Sequence, residues 1–135
     1  MKVVFDAGVV FAGAGWRGQA HYCLVAMARR RVAAYATEQT LNELDNLVAQ
    51  RAGAAKHPAA AILRWYSETV KRVEPASLGK QRSRDVKDDP YLACALGAGA
   101  RVLVTRDADL LVLGKPFGIQ IITPRQLVAR LSTPL

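Results

Sequence analysis

Acidic side chains are concentrated in a few short segments of this otherwise basic chain. The chain has 19 Lys and Arg residues against 11 Asp and Glu, a formal net charge of +8 at pH 7. Seven acids form four clusters at the ends of predicted elements: Asp6, Glu43, Asp85/Asp88/Asp89 and Asp107/Asp109. Carboxylates on a basic body repel a polyanion unless a cation lies between them, and Mg²⁺ or Mn²⁺ commonly bridges carboxylates to phosphate oxygens. The pattern indicates metal-dependent chemistry on a nucleic acid.

Each acidic cluster also has a simpler interpretation. Asp6 could bond nearby backbone N–H groups after its strand, Asp88 or Asp89 could cap the next helix, and Asp107 could cap a later one. Glu43 could be a solvated charge on its helix. However, three acids around position 88 exceed what one cap needs, and closely packed like charges resist ionisation unless a cation compensates them. Their joint occurrence at strand ends therefore favours one shared site.

Predicted strands alternate with predicted helices along the chain. Short apolar runs indicate strands at Lys2–Phe5 and at residues 32–36, 101–105 and 119–122. Apolar periodicity and capping residues indicate helices at residues 19–30, 37–51, 58–73, 90–99 and from 124 onward, with a short turn at 108–113 and a mixture of loop and helix start at 7–18. Such alternation predicts an α/β fold with a parallel sheet, helices on both faces and a ligand site beyond the carboxyl ends of the strands. Asp6 and Asp107 lie where this rule places a site.

Length and composition limit the possible classes of protein. A chain of 135 residues, 51% hydrophobic, is expected to form one domain over residues 1–135 with a core mainly of Ala, Val and Leu. Cys23 and Cys94 adjoin apolar residues and are interpreted as core residues in a reducing compartment. Asp6 interrupts the first apolar stretch, and no run approaches the roughly 20 apolar residues of a membrane span. We therefore expect a cytoplasmic protein.

Other chemistries find little support in the sequence. Neither a dinucleotide-binding glycine pattern nor a P-loop is present. His21 and His57 lack partners at metal-ligand or triad spacing. Phosphoryl transfer through an aspartyl intermediate would use Asp6 as nucleophile, but that chemistry usually places a second acid at the position of Gly8. Among the aromatic residues, Trp16, Trp65 and Tyr66 could serve a dimer face, although helical aromatic residues are more often core.

The segments that carry the acids together resemble a PIN domain. They are Val3-Val4-Phe5-Asp6, Thr40-Leu41-Asn42-Glu43-Leu44, Asp85-Val86-Lys87-Asp88-Asp89-Pro90-Tyr91-Leu92 and Val104-Thr105-Arg106-Asp107-Ala108-Asp109-Leu110-Leu111, followed by Gly118-Ile119-Gln120-Ile121-Ile122-Thr123-Pro124. The resemblance is closest to the VapC-like PIN ribonuclease toxins of prokaryotic toxin–antitoxin pairs. It implies a three-layer α/β/α sandwich with a central, mainly parallel sheet. It also implies a Mg²⁺- or Mn²⁺-dependent endoribonuclease, a small antitoxin partner, and a homodimer or higher oligomer.

The same resemblance assigns roles to individual residues. Asp6, Glu43 and Asp88 match the three core acids of the family, and Asp107 or Asp109 matches the fourth. The implied catalytic residues are Asp6, Glu43, Asp88 and Asp107, with Asp109 as a further metal ligand. The cations expected to bind RNA phosphates are Arg84, Lys87 and Arg106, although a solvated loop accounts equally well for the cations that precede Asp88.

The chain departs from the family pattern directly after the first acid. The usual Thr-Asn pair is replaced by Ala7-Gly8, which removes hydrogen-bonding groups beside Asp6. We expect reduced metal affinity or activity from this change. The alternative is a catalytically weakened PIN-fold module that binds RNA or a protein partner without cleaving RNA.

Overall fold

The computed structural model describes residues 1–51 and 58–132. Its strands are β1 (Lys2–Phe5), β2 (Ala33–Ala36), β3 (Lys71–Arg72), β4 (Val102–Val104) and β5 (Gln120–Ile122). Its helices are α1 (Ala7–Gly15), α2 (Gln19–Ala28), α3 (Glu38–Gln50), α4 (Pro58–Thr69), α5 (Asp89–Ala98), α6 (Ala108–Leu111) and α7 (Pro124–Ser132). Short 3-10 turns lie at Val86–Asp88 and Pro116–Gly118. His57 lies outside the described residues.

The five strands form one parallel sheet in the order β3-β2-β1-β4-β5. The chain moves outward from β1 to β3 and then returns to the other side of β1, so the strand order reverses between β1 and β4. Right-handed crossovers place α1 to α4 on one face and α5 on the other. Helix α5 packs on β1, β2 and β4, while α1 packs against α2, α3 and α4. The three-layer α/β/α prediction is confirmed.

The core lies on both faces of the central strands. Val3 and Val4 of β1 and the whole of β4 are buried, which is the pattern of parallel strands covered on both sides. Cys23 and Cys94 are buried free thiols, and burial raises the pKa of each to about 12. No helix among residues 1–51 and 58–132 is long and apolar enough to cross a bilayer.

Two elements differ from the sequence prediction. Helix α1 begins directly after Asp6, where the glycines predicted a partial loop, because burial of Val9, Val10 and Phe11 outweighs the low helix propensity of glycine. Helix α4 ends at Thr69, short of the expected residue 73, and Lys71–Arg72 form the edge strand β3. An edge strand of two exposed cations carries no apolar pattern, and such short charged edges discourage pairing with other chains.

Close packing between α1 and α2 depends on Gly13. A Cβ at this position would lie 2.7 Å from the carbonyl oxygen of Ala20 and 2.9 Å from Cδ1 of Leu24. Nδ1 of His21 donates a hydrogen bond to the Gly13 carbonyl at 2.9 Å, which fixes the same contact. At Gly15, in the same helix, a Cβ would meet no atom of the described residues within 4 Å. Gly15 can therefore serve as the control position for a substitution at Gly13.

We predict that Gly13→Ala lowers the free energy of unfolding by about 1–3 kcal/mol, because the added methyl group forces α1 away from α2. Gly15→Ala is expected to leave stability unchanged or raise it by up to about 1 kcal/mol, through helix propensity. Urea unfolding of both variants measures the difference. Equal effects would contradict close packing at Gly13.

Candidate metal centre

A cleft of about 560 Å³ lies at the carboxyl edge of the sheet, where the strand order reverses. Its walls include four carboxylates from distant parts of the chain: Asp6, Glu43, Asp88 and Asp107. Asp6 follows β1, Glu43 lies on α3, Asp88 precedes α5 and Asp107 follows β4. The reversal point is where open parallel sheets bind ligands. The structure thus brings together the four acids that the sequence assigned to catalysis, while their roles stay predictions.

Asp6 is buried at the base of this cleft, with 8% of its surface exposed. It is the N-cap of α1, and its Oδ1 accepts a hydrogen bond of 2.8 Å from the backbone N–H of Val9. Its Oδ2 accepts a hydrogen bond from the hydroxyl of Thr105. The capping interpretation therefore holds for Asp6, and it is compatible with a place in the cleft.

Thr105 connects the two central strand ends, and sequence reasoning did not identify it. Its side chain is fully buried. The hydroxyl donates to Asp6 and accepts a hydrogen bond of 3.0 Å from the backbone N–H of Asp107. The sequence does contain a signal that could have identified Thr105. It is a threonine at the end of an apolar strand, two residues before an aspartate, and Thr hydroxyls commonly bond the backbone two residues on.

Asp88 is oriented towards the cleft by a contact from the preceding loop. It occupies the N-cap position of α5, but among the described residues its side chain makes no capping hydrogen bond. Instead, its Oδ2 accepts a hydrogen bond of 3.2 Å from the hydroxyl of Ser83. Ser83 is buried within the loop that precedes α5. Sequence reasoning did not identify this serine as part of the site.

The two acids beside Asp88 have local structural roles. Oδ1 of Asp85 accepts a hydrogen bond of 3.0 Å from the backbone N–H of Lys87, which caps the 3-10 turn. The carboxylate of Asp89 accepts hydrogen bonds from the backbone N–H groups of Arg82 at 2.9 Å and Ser83 at 2.7 Å. The expectation that this cluster exceeds the needs of local structure is wrong for these two acids. Asp88 is the member of the cluster that lines the cleft.

Three carboxylates lie close enough to share an ion. Asp88, Asp107 and Asp109 each offer an oxygen atom within 4.8 Å of the other two. Asp107 caps α6, since its Oδ1 accepts a hydrogen bond of 2.8 Å from the backbone N–H of Asp109. Among the described residues, Asp6 and Glu43 line the same cleft but stand outside this close group.

Glu43 is exposed and reaches the cleft from α3. The start of α3 is fixed by a reciprocal cap, in which the backbone N–H of Thr40 donates to the Thr37 hydroxyl oxygen and the backbone N–H of Thr37 donates to that of Thr40. Leu41 and Leu44 of the same helix are buried. The buried apolar face and the fixed N-terminus together place Glu43 along the cleft wall.

Cations adjoin the acidic groups. Lys87 and Arg106 line the cleft. Arg84 is 88% exposed, and its Nε lies 3.9 Å from Oδ1 of Asp109. The three cations predicted to bind phosphate are thus at or beside the acidic cluster, and their contact with RNA stays a prediction.

A family model described as PIN domain matches residues 2–109. The chain belongs to the PIN domain family. Its structure is also similar to the crystal structure of PAE2754 from Pyrobaculum aerophilum, with a TM-score of 0.67 and 26% sequence identity over 98% of this chain and 90% of that chain. No curated protein matches the sequence. PIN domains are generally nucleases that use divalent metals, so membership indicates a nuclease.

The carboxylates of this PIN domain fit a divalent cation. Burial and then the negative charge of Asp107 raise the pKa of Asp88 to about 7. Burial likewise raises the pKa of Asp6, while its hydrogen bonds from Thr105 and Val9 oppose the rise. The close group therefore holds negative charge at a cost that a cation relieves, and carboxylate oxygens are the ligands that Mg²⁺ and Mn²⁺ prefer. Both the charge and the donor atoms fit.

Tyr91 links the two helices that border the cleft, and it was not identified from the sequence. Its hydroxyl oxygen accepts a hydrogen bond of 3.2 Å from the backbone N–H of Ala7, one of the unpaired donors at the start of α1. Burial raises the pKa of Tyr91, so the phenol stays protonated. This contact fixes the position of α5 relative to the Ala7-Gly8 segment.

The stability of the metal-free PIN domain is predicted to fall as pH rises from about 4 towards 7. In the folded state Asp88 holds a proton up to a pKa of about 7, whereas its ordinary value is 3.8. In this range the folded state thus binds more protons than the unfolded state. Raising the pH therefore favours unfolding. Thermal melting in chelator across this pH range tests the prediction, and Asp88→Asn is expected to flatten the dependence. Identical pH profiles for both proteins would contradict it.

Added Mn²⁺ or Mg²⁺ is predicted to stabilise the wild-type protein at neutral pH, by about 2.7 kcal/mol when the ion is at 100 times its dissociation constant. Asp88→Asn should lose most of this effect while melting at or above the wild-type temperature in chelator, because a repelled buried charge is removed. Asp85→Asn is the matched control, since Asp85 lies outside the close group and asparagine also caps turns. Calorimetric titration measures the binding. Equal metal stabilisation of both variants would contradict the assignment of Asp88.

Proposed function

We propose that this PIN domain is a metal-dependent endoribonuclease that hydrolyses RNA phosphodiester bonds and acts as the VapC-like toxin of a toxin–antitoxin pair. The observation that carries the proposal is the convergence of Asp6, Glu43, Asp88 and Asp107 on one cleft. This acidic cleft lies on a chain of net charge +8, which attracts polyanions. Acids that bind a metal ion, on a basic protein that attracts polyanions, would together allow phosphodiester hydrolysis.

The close group of Asp88, Asp107 and Asp109 would hold the Mg²⁺ or Mn²⁺ ion directly. Asp6 and Glu43, which line the same cleft, would complete its environment. A bound ion of this kind polarises a phosphoryl oxygen and lowers the pKa of a coordinated water. Thr105 and Ser83 hold the Asp6 and Asp88 carboxylates in place through their hydroxyl groups. Such outer contacts orient ligands and commonly contribute 10- to 100-fold, roughly, to affinity or activity.

The cations of the site would hold the RNA backbone. Lys87 and Arg106 line the same cleft as the acids, where they can neutralise phosphates. Arg84 lies farther out, beside Asp109. Phosphate contacts position a nucleic acid without reading its sequence, so this part of the binding should weaken with added salt.

The contacts of Asp6 support an active enzyme over a catalytically weakened binding module. Both hydrogen bonds to its carboxylate come from Val9 and Thr105. The backbone N–H of Ala7 is bonded to Tyr91. Asp6 is therefore held in place in this chain without a polar side chain at position 7 or 8. A weakened module would bind RNA equally well with and without Mn²⁺ and would not cleave it.

The toxin role carries further proposals about partners. Relatives of the VapC type imply a small antitoxin that blocks the cleft, and self-association into a dimer or larger oligomer. A neighbouring reading frame that encodes a small DNA-binding protein, and suppression of growth arrest by its co-expression, would test the pairing. Growth that is unaffected by expression of the chain alone would oppose the toxin role without opposing the nuclease.

Asp6→Asn and Glu43→Gln are each predicted to reduce Mn²⁺-dependent cleavage of labelled RNA by about 100-fold or more. The reason is that both acids line the metal cleft, and even outer contacts of a metal site contribute 10- to 100-fold, roughly. Single-turnover assays with chelator controls measure the loss, and circular dichroism confirms folding.

Asp45→Asn is the matched control for Glu43→Gln, because Asp45 is exposed on the same helix and does not belong to the cleft lining. It should cleave RNA at the wild-type rate. Full activity of Asp6→Asn in contaminant-free preparations, or equal losses from the two α3 variants, would refute the assignment.

A further inference from the structure

A second cavity of about 320 Å³ adjoins the acidic cleft. We call it the Trp16 groove, and its lining residues are Gly8, Phe11, Ala12, Trp16, Leu47, Arg51 and Arg106. Gly8, Leu47 and Arg106 also line the acidic cleft. The groove and the cleft are therefore continuous, and a ligand in one can extend into the other.

Trp16 gives the groove an accessible aromatic surface. It directly follows α1 and is 53% exposed, whereas Tyr66 is buried and Trp65 is half-buried in α4. Its ring meets the ring of Phe11 edge-on, with centroids 5.8 Å apart and planes at 73°. This contact fixes the indole while leaving more than half of its surface open to a ligand.

The charges of the groove differ from those of the cleft. Two arginines, Arg51 and Arg106, line the groove, and no acid is among the described residues that line it. The adjoining cleft carries four carboxylates. A ligand suited to both would present a planar apolar group to Trp16 and negative charge to the arginines. Single-stranded RNA combines these features, because every base has a π-face and every linkage carries a phosphate.

Gly8 lies at the junction between the groove and the cleft. A Cβ at this position would stand 3.3 Å from Oδ1 of Asp6, so a side chain here would project beside the carboxylate. Glycine leaves that space open. The departure from the usual Thr-Asn pair thus provides a direct route between Asp6 and Trp16.

We propose that the Trp16 groove binds a nucleotide next to the scissile phosphate of single-stranded RNA. Its base stacks on Trp16, and Arg51 and Arg106 bind the adjoining phosphates. The inference rests on the proposed nuclease function and adds to it a stacking subsite for one nucleotide, with little base preference. Aromatic stacking tolerates any base, whereas arginine contacts add salt-dependent affinity.

The test measures RNA binding apart from cleavage. In a Trp65→Phe background, Trp16 is the remaining tryptophan, so its fluorescence reports the groove. The probes are a short single-stranded RNA and an abasic oligonucleotide of equal length and charge, both in chelator. RNA should quench Trp16 and bind more tightly than the abasic probe. Equal binding and equal quenching by the two probes would overturn the proposal.

Substitutions locate the effect. Trp16→Ala should weaken binding of the short RNA by about 5- to 100-fold, and Trp16→Phe should retain most of it. Tyr22→Ala is the matched control, because Tyr22 is also 53% exposed but lines a separate cavity with Arg29 and Arg31. Arg51→Gln should reduce the slope of log K against log salt concentration by about 1, which corresponds to the loss of one phosphate contact. Arg29→Gln should leave this slope unchanged. Equal losses from Trp16→Ala and Tyr22→Ala would overturn the assignment.

Further outcomes separate this inference from the nuclease proposal. Mn²⁺-dependent cleavage that survives Trp16→Ala with unchanged RNA binding would keep the nuclease and overturn the stacking subsite. Tighter binding of RNA than of the abasic probe at Trp16, by a wild-type protein that never cleaves RNA, would support the subsite and reject the nuclease. Loss of a dimer on Trp16→Ala, with RNA binding intact, would assign the groove to a second copy of the chain and overturn the proposal.

Discussion

Mutual repulsion among carboxylates at one edge of the sheet is the constraint that the other features of this site must meet. The register of β1 with β4 pairs Phe5 with Val104, so Asp6 and Thr105 emerge side by side. The Thr105 hydroxyl then satisfies Asp6 and the backbone of Asp107 together. Ser83 contributes a comparable hydrogen bond to Asp88. Hydrogen bonds thus hold Asp6, Asp88 and Asp107 in place, which keeps these charges together until a cation compensates them.

The same constraint explains why the acids divide into two kinds. Asp85 and Asp89 bond backbone N–H groups of their own loop, and their carboxylates stabilise the turn that presents Asp88. Asp88 makes no such bond among the described residues and keeps its carboxylate directed at Asp107 and Asp109. One short segment thus supplies two carboxylates that stabilise the loop and a third, Asp88, that belongs to the candidate metal centre.

Much of this arrangement could be predicted from the sequence, and the failures have identifiable causes. Apolar β1 and β4 followed by Asp6 and Asp107 predicted the sheet edge, since parallel strands place their carboxyl ends together. Thr105 and Ser83 were missed because their roles depend on partners distant in sequence or on burial inside a polar loop. Strand β3 consists of Lys71 and Arg72, which carry no apolar signal, so its pairing with β2 is a tertiary effect. Spacing alone also could not separate Asp88 from the two acids beside it, because all three precede the same helix.

The Ala7-Gly8 segment shows how a departure from a family pattern changes meaning once the surroundings are known. In the sequence, it is a loss of hydrogen-bonding groups beside Asp6. In the fold, Val9, Thr105 and Tyr91 supply the contacts that hold Asp6 and the start of α1, without polar side chains at these two positions. The space that a side chain at Gly8 would fill instead joins the acidic cleft to the Trp16 groove. Glycine at position 8 therefore leaves open the junction across which the proposed RNA substrate would pass from the groove to the acids.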